Sequence, residues 1–511
     1  MSTPLEIDGR SLTLKQLEAV ATECRAIQLS EDACVAVDRA HEAVVTILSQ
    51  KQTVYGVNTG FGHLARVSIQ PNELAQLQRN LVRSHAVGVG APFSVPTTRA
   101  ITLLRANVLA SGHSGVHRRV VQQLLDFLNK GVHPWIPSQG SVGASGDLAP
   151  LAHLALVLFG EGWVHGPDGN RIETKVEFSR LGIQPIELGA KEGLSLINGT
   201  QAMTGLGALA TVRAQRLCST ADIIGAMTVE AKLGAHTPFD ARLHELRPHP
   251  GQEDSARNLR TLLSGGTIKA SHHDCEKVQD SYSLRCIPQV HGAARDAIEH
   301  CAAVVGREIN SVTDNPTIFP ESGDVISGGN FHGQPVALAL DFLAMGTAEL
   351  GSISERRVEQ LVNPRLSGLP AFLVENAGLN SGFMISQVAA AALASENKGL
   401  CYPSSVDSIP TSANQEDHVS MGPISARQAM AVVENTEQIL GIELLVACQA
   451  LDFRRPLVPA AGPLCALKFV RQQIAGLTED RILCEDQEVA AEMIRDGSLL
   501  AAVEATVGTL R

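Results

Sequence analysis

Eleven residues, GSVGASGDLAP, run from Gly140 to Pro150, with glycine at every third position through Gly146. Only Ala144 and Ser145 stand between the last two glycines. Three chemistries compete for such a stretch. A phosphate cradle needs a lysine after its last glycine; here Asp147 follows and would repel a phosphate. A plain turn into the apolar run LAPLAHLALVLF would use Asp147 as the helix N-cap, with Pro150 in the first turn. The third is a backbone that reacts with itself. The Gly146 nitrogen can attack the Ala144 carbonyl carbon, closing a five-membered ring through Ser145. Glycine at the attacking position removes Cβ obstruction, and the flanking glycines permit strained dihedrals. Loss of one water from the ring and a second from the Ser145 side chain leaves an exocyclic methylidene. The product is an electrophile made from protein alone.

Other reactive residue types are sparse. Of three tyrosines, Tyr55 and Tyr282 sit in polar or glycine-rich segments, where core packing is a weak reason for a phenol. The segment GFGHLA, Gly60–Ala65, matches a dinucleotide fingerprint, but QKQTVYGVNT before it is too polar for the buried strand that fingerprint requires. HHDC at His272–Cys275 has no second ligand pair at zinc-like spacing, so no metal site is expected. Ten cysteines without a CxxC pair read as reduced thiols and a cytoplasmic setting.

The elements that must position these groups read as mainly helical. VHRRVVQQLLDFLNKGV has helical apolar spacing, and AARDAIEHCAAVVGREINSV runs on until TDNP stops it. PVALALDFLAMGTAELGSISERRVEQLVNP opens and closes with proline, and SARQAMAVVENTEQILGIELLVACQALDF predicts one helix of about eight turns. Strand-like alternation is rare. The predicted fold class is mainly α: a smaller mixed N-terminal domain over 1–110 carrying a Gly-rich active-site loop, and a long central helical bundle over 111–511 carrying the Ala-Ser-Gly electrophile. The Ser111–Gly115 cluster marks the boundary.

Bulk properties exclude some function classes. The chain has 511 residues, 44% apolar content and a formal charge of −12. It is long enough for a large core and has no basic stripe, so a nucleic-acid partner is not expected. No apolar run reaches the roughly 18 residues of a membrane span, and the N-terminus has no signal-peptide pattern.

The glycine stretch GSVGASGDLAPLAH resembles the signature of the aromatic amino acid ammonia-lyases. YGVNTGFG (Tyr55–Gly62), NGTQ (Asn198–Gln201), VQDSYSLRCIPQ (Val278–Gln289), TDNP (Thr313–Pro316), ISGGNFHG (Ile326–Gly333) and SANQEDHVSM (Ser412–Met421) resemble that family's other blocks, in family order. The resemblance implies that Ala144, Ser145 and Gly146 form 4-methylideneimidazole-5-one, with no external cofactor. It further implies that Tyr55 and Tyr282 are the site's two tyrosines, and which of them takes the β-proton stays open. Arg285 would pair the substrate carboxylate, as a guanidinium fork suits. Asn198 and Gln279 would position electrophile and substrate, and Phe331 would pack beside the ring. A homotetramer is implied as well, each site drawing on three subunits. Ordinary readings exist beside these: a polar helix start at Tyr282 and Arg285, a cap at Asn198, a solvated loop at Ser412–Met421.

Side-chain discrimination is expected at Ser84–His85. Family members acting on phenylalanine show Phe-Leu there and those acting on tyrosine show His-Leu; Ser-His is similar to the members acting on histidine. Glu416, with Gln415 beside it, agrees, because a carboxylate can accept an imidazole N–H whereas a phenyl ring leaves it desolvated and unpaired. The expected reaction is L-histidine to trans-urocanate and ammonia. The alternative is lyase or aminomutase activity on phenylalanine or tyrosine. Arg83 and His291 are unexpected in such an enzyme and have no assigned part.

Overall fold

The computed structural model describes residues 3–50, 54, 56, 59, 70, 73–272 and 278–511. Tyr55, the GFGHLA segment and His273–Cys275 of HHDC lie outside the described residues.

The chain is mainly α-helical, as its apolar periodicity predicts. The helices that position the site and its scaffold are, in chain order, α1 (Leu74–His85), α2 (Val95–Ala110), α3 (Leu148–Leu158), α4 (Glu192–Ile197), α5 (Gln201–Ala231), α6 (Pro250–Leu262), α7 (Tyr282–Arg285), α8 (Ile287–Glu308), α9 (Gln334–Val362) and α10 (Gly422–Asp452). Among the described residues eight short strands pair two by two. β1 (Leu5–Ile7) runs parallel to β2 (Ile27–Leu29); β3 (Val89–Pro92) with β4 (Pro137–Gln139), β5 (Trp163–His165) with β6 (Arg171–Glu173), and β7 (Thr317–Phe319) with β8 (Asp324–Ile326) are antiparallel.

The residues divide into two compact units. The first holds 1–212, 302–341 and 403–427; the second holds 213–301, 342–402 and 428–511. All eight strands belong to the first unit, and the second is helical among the described residues. The Ser111–Gly115 cluster lies inside the first unit. α9 is long and apolar enough to cross a membrane by length and composition, although no uninterrupted apolar run in the sequence is. Its residues Val336, Leu340, Leu343 and Leu350 are fully buried.

In the first unit, α2 is the central positioning element. Ser94 caps it by accepting from the Thr97 N–H, and Pro96 pre-sets the first turn. All residues from Thr97 to Ala110 are buried, including two arginines. Arg99 donates to the Val20 and Leu128 carbonyls, near the C-terminal ends of the helices Leu14–Thr22 and Arg118–Lys130. A guanidinium at a helix C-terminus meets unpaired carbonyls and the negative end of the dipole, which offsets its desolvation.

In the second unit the buried polar groups are mostly side chains facing one another. Arg357 of α9 forms a two-pronged ion pair with Glu443 of α10, at 2.6 and 2.8 Å. Glu443 also accepts from Thr228 of α5 at 2.7 Å, and Arg357 NH1 lies 3.2 Å from His291 Nε2 of α8. The other nitrogen, His291 Nδ1, lies 2.8 Å from Asp222 Oδ1. Because Arg357 can only donate, His291 Nε2 is the acceptor and Nδ1–H donates to Asp222. Asp222 further accepts from Ser255, Asn258 and Arg295. His291, unassigned by the sequence, is therefore a link in a buried ionic chain.

Candidate active site

The glycine stretch reverses direction through left-handed residues: φ is 80° at Gly143, 51° at Ser145 and 78° at Gly146. Serine rarely adopts such a φ, so the surrounding structure must hold it there. That hold is visible on both sides. The Gly146 N–H reaches back to the Gly143 carbonyl at 3.3 Å, and Gly146 bridges Gly199 as two parallel strands do. Gly199 N–H donates to the Ser145 carbonyl at 3.3 Å, and Asp147 N–H donates to the Gly199 carbonyl at 2.7 Å. A Cβ on Gly146 would stand 2.1 Å from the Gly199 oxygen, so no other residue fits. Val142 accepts from Met421 N–H at 2.9 Å, tying on the segment that opens α10.

Gly199 is itself pinned between two opposite charges. Behind it, buried Arg105 donates to the Ser195 carbonyl at 2.7 Å and the Asn198 carbonyl at 2.9 Å, at the C-terminal end of α4, and also to Gln201 Oε1. Ahead of it, Asp147 Oδ2 accepts from the Ala202 and Met203 N–H groups at 2.8 and 2.9 Å, at the N-terminal end of α5. Each charge sits where the adjacent helix dipole favours it. Burial pushes the Asp147 carboxyl up to about 7, against the pull of those two N–H groups and of Arg105. Burial likewise draws Arg105 down to about 10. The turn reading of the sequence is corrected here. Asp147 does precede α3, but its side chain makes no capping bond there and serves α5 instead. Local sequence cannot show that, since the capped helix begins more than fifty residues later.

Lys191, Ser195 and Asp314 brace α4 from the other side. Lys191 Nζ donates to Asp314 at 2.7 Å, to Ser195 Oγ at 2.9 Å and to the Ser114 carbonyl at 3.0 Å, all fully buried. Arg105 and this group were not picked out from the sequence, and Asp147 was read only as a local cap. The available signal was charge inside otherwise apolar helical stretches, as in VPTTRAITLLRANVLA.

Opposite the glycine stretch, Glu416 is half-buried and accepts from Ser145 Oγ at 3.1 Å and from Thr411 Oγ1 at 2.8 Å. Thr411 and Glu416 exchange backbone hydrogen bonds at 3.0 and 3.3 Å around a loop in which Ser412, Ala413 and Asn414 all have positive φ. Gln415, on the same loop, is exposed. The Phe331 segment converges on the same place. A Cβ on Gly333 would meet Met203 Sδ at 2.4 Å and Ser420 Oγ at 3.0 Å, and one on Gly143 would meet Ser420 Oγ at 2.3 Å. Phe331 is half-buried, and His332 Nε2 lies 3.0 Å from the His418 carbonyl.

The structure thus brings together Ala144, Ser145, Gly146, Asn198 and Glu416, with the Phe331 segment packed alongside. Asn198 Oδ1 is buried with no partner, an acceptor free for a ligand or ring. His85 ends α1, its Nδ1 lying 2.8 Å from the Leu81 carbonyl and 3.0 Å from Ser84 Oγ. The chain just beyond packs on the glycine stretch: a Cβ on Gly140 would lie 3.4 Å from the Gly88 α-carbon. Arg83 pairs with Glu161 at the surface. Gln279, Tyr282 and Arg285 belong to the second unit. There the Arg285 guanidinium lies over the Tyr282 ring, 4.6 Å from its centroid, Tyr282 is 71% exposed and Gln279 is exposed.

The residues fit a self-made ring. The tripeptide is folded sharply, the attacking nitrogen belongs to a residue that must be glycine, and the Ser145 hydroxyl has a carboxylate partner. Among the described residues no three His, Cys, Asp or Glu side chains gather as a metal site.

Residues 12–472 match the aromatic amino acid lyase family. The chain is 56% identical to a histidine ammonia-lyase of Sorangium cellulosum over 511 residues, spanning 98% of this chain and 99% of that one. It superposes on the crystal structure of histidine ammonia-lyase from Trypanosoma cruzi with a TM-score of 0.92 at 45% identity, over 98% of this chain and 95% of that one. It superposes on tyrosine aminomutase from Streptomyces globisporus with a TM-score of 0.94 at 38% identity, over the whole of both.

Proposed function

The chain belongs to the aromatic amino acid lyase family, and from that premise we propose that it is an ammonia-lyase whose substrate is L-histidine and whose products are trans-urocanate and ammonia. The observation that carries the substrate is Glu416. A half-buried carboxylate 3.1 Å from Ser145 gains nothing from a phenyl ring and is desolvated by it, whereas an imidazole N–H can donate to it. Ser84–His85 at the end of α1 supports the same choice over phenylalanine or tyrosine.

Ala144, Ser145 and Gly146 would hold the prosthetic ring, 4-methylideneimidazole-5-one, as part of the chain. Once formed, the ring supplies an electrophilic carbon that activates the substrate amine for departure. The chain's own groups do the rest. Asn198 Oδ1, without a partner in the folded chain, orients the ring or the substrate amine. Arg285 grips the substrate carboxylate through its fork, with Gln279 as a neighbouring amide donor. A phenol, Tyr55 or Tyr282, takes the β-proton, for which it must be deprotonated or hydrogen-bonded to a base near neutral pH. His85, Gln415 and Glu416 bind the imidazole, and Phe331 shields the ring from water.

Tyr282 is largely exposed in the single chain, and so are Leu379 and Ile385 at 85% and 66%. Exposed apolar side chains of this kind, which association with other copies would cover, support a homotetramer. Nine described cysteines, all free, suit a reducing cytoplasm.

The test is a panel of aromatic amino acids read by ultraviolet absorption, together with Ser145→Ala. Urocanate from histidine alone is expected, and Ser145→Ala should keep its fold and lose nearly all activity. Turnover of phenylalanine or tyrosine to an acrylate, or accumulation of a β-amino acid, would replace the substrate assignment. An unchanged rate in Ser145→Ala would remove the mechanism.

A further inference from the structure

We propose that Glu416 has an earlier task than substrate binding: it removes the Ser145 hydroxyl during maturation of the Ala144–Ser145–Gly146 segment, an inference that rests on the ring reading above. In the uncyclised chain the Ser145 hydroxyl donates to Glu416 Oε1 at 3.1 Å. The other carboxylate oxygen is fixed by Thr411 Oγ1 at 2.8 Å. The backbone pair between Thr411 and Glu416 closes the loop, and Ser412, Ala413 and Asn414 are held at φ of 50°, 54° and 64° to do so. Three successive left-handed residues without a glycine are unfavourable, so the loop carries strain in order to present this carboxylate. What it presents it to, before any substrate arrives, is the hydroxyl that must leave.

The chemistry balances as follows. The Gly146 nitrogen bonds to the Ala144 carbonyl carbon, and that carbon's oxygen leaves as the first water with the Gly146 N–H proton and the Ser145 N–H proton. This closes the ring with a C=N bond. The Ser145 α-proton then passes to solvent, its electron pair forms the Cα=Cβ bond, and the Cβ–O bond breaks. Glu416, an acceptor of the Ser145 hydroxyl at rest, first takes a proton from solvent; the departing oxygen receives that proton and leaves as the second water, and Glu416 ends as the carboxylate it began as. No oxidant or reductant is consumed. Hydroxide is a poor leaving group, so a carboxyl group already in hydrogen-bond contact with the hydroxyl, able to carry a proton to it, is what this step requires.

Intact mass of the full chain, with a peptide map across 140–150, tests the proposal without reference to activity. A wild-type chain with the full mass of its sequence refutes the ring, and with it the reading above. Given a wild type lighter by two waters, Glu416→Gln is expected to keep the Ser145 hydroxyl, losing at most one water, in a chain whose circular dichroism matches the wild type. Glu416→Gln lighter by two waters to the wild-type extent overturns the proposal and leaves the ring reading standing. Should that variant not fold, Thr411→Val carries the test, because Glu416 remains but loses its anchor. Its fully matured fraction at a fixed time after synthesis should fall several-fold, and a wild-type fraction overturns the proposal.

Discussion

Two buried aspartates separate the two units of this molecule. Asp147, in the first unit, spends one carboxylate oxygen on the N–H groups of Ala202 and Met203 and leaves Oδ1 buried with no partner. Burial wins there, and the carboxyl rises to about 7. Asp222, in the second unit, is just as buried, and burial pushes it up too. Hydrogen bonds from His291 and Ser255 and the charge of Arg295 more than offset that push, and it ends below the ordinary carboxylate range. The arginines differ in the same way. Arg105 is spent largely on backbone carbonyls around Gly199, whereas Arg357 is spent on a carboxylate. Around Gly199, in the first unit, buried charge holds an unfavourable backbone in place; around Arg357, in the second, it is matched side chain to side chain and joins long helices. The left-handed φ of Ser145 is held by the first set of contacts, and dense side-chain pairing stiffens the helices around the second.

The largest effect should come from breaking the matched pair. Arg357→Met leaves Glu443 buried with the Thr228 hydroxyl still donating to it and takes from His291 Nε2 its guanidinium donor. Loss of one partner from a buried pair costs about 3–5 kcal/mol. Denaturant unfolding should show that loss, while any folded protein should still be lighter by two waters. A folded Arg357→Met chain lacking the ring would mean that the second unit also forces the cyclisation, and the division of labour would fail.

A smaller effect, opposite in sign between the units, is expected with pH. Asp147 binds its proton more tightly folded than unfolded, so its ionisation costs stability progressively as pH rises from its ordinary 3.8 to about 7. Asp147→Asn keeps an oxygen for the two N–H groups and cannot ionise. Its melting temperature should therefore gain on the wild type across that window. Asp222 has a depressed folded pKa, so its contribution is present above the unfolded value and is lost as pH falls through the folded one. Asp222→Asn should accordingly be worst at neutral pH and approach the wild type in acid. Parallel pH profiles for the two variants would erase the contrast.

The same contrast explains what could be read in the sequence. The long helices were legible because apolar periodicity is a local property: α8 stops before TDNP, and α10 runs from Gly422 to Asp452 as one helix. The need for glycine at Gly146 was legible from the proposed cyclisation, and the structure leaves no room there for any Cβ. The supports were not. Asp147 caps a helix far along the chain, Arg105 reaches α4 from α2, and His291 sits among charges contributed by α5, α9 and α10. Each depends on a tertiary contact between segments that carry no shared local pattern. Arg83 was equally opaque: it pairs with Glu161, seventy-eight residues away.

That pair supplies the smallest expected effect and a sharp control. Arg83 Nε and NH2 meet the two Glu161 oxygens at 2.9 and 2.5 Å, good bidentate geometry. Yet the side chains are 45% and 36% exposed, where solvent screens the charges and ordering two long side chains offsets most of the gain. Such pairs contribute about 0–1 kcal/mol. Arg83→Ala should therefore barely move the melting temperature. It could still matter for the site, because Arg83 lies two residues before His85 on the last turn of α1. His85 is separately tied to Leu81 and Ser84 of its own helix, and the following Gly88 N–H donates to His153 Nε2 at 3.0 Å. These local ties should hold the α1 terminus without the ion pair, so KM for histidine should stay within about threefold of wild type, well under the factor of ten that 1.4 kcal/mol would give. A large rise in KM with an unchanged melting temperature would show that a surface ion pair, and not the hydrogen bonds within and just after α1, sets His85, and would extend the positioning machinery of the first unit out to its solvent-exposed rim.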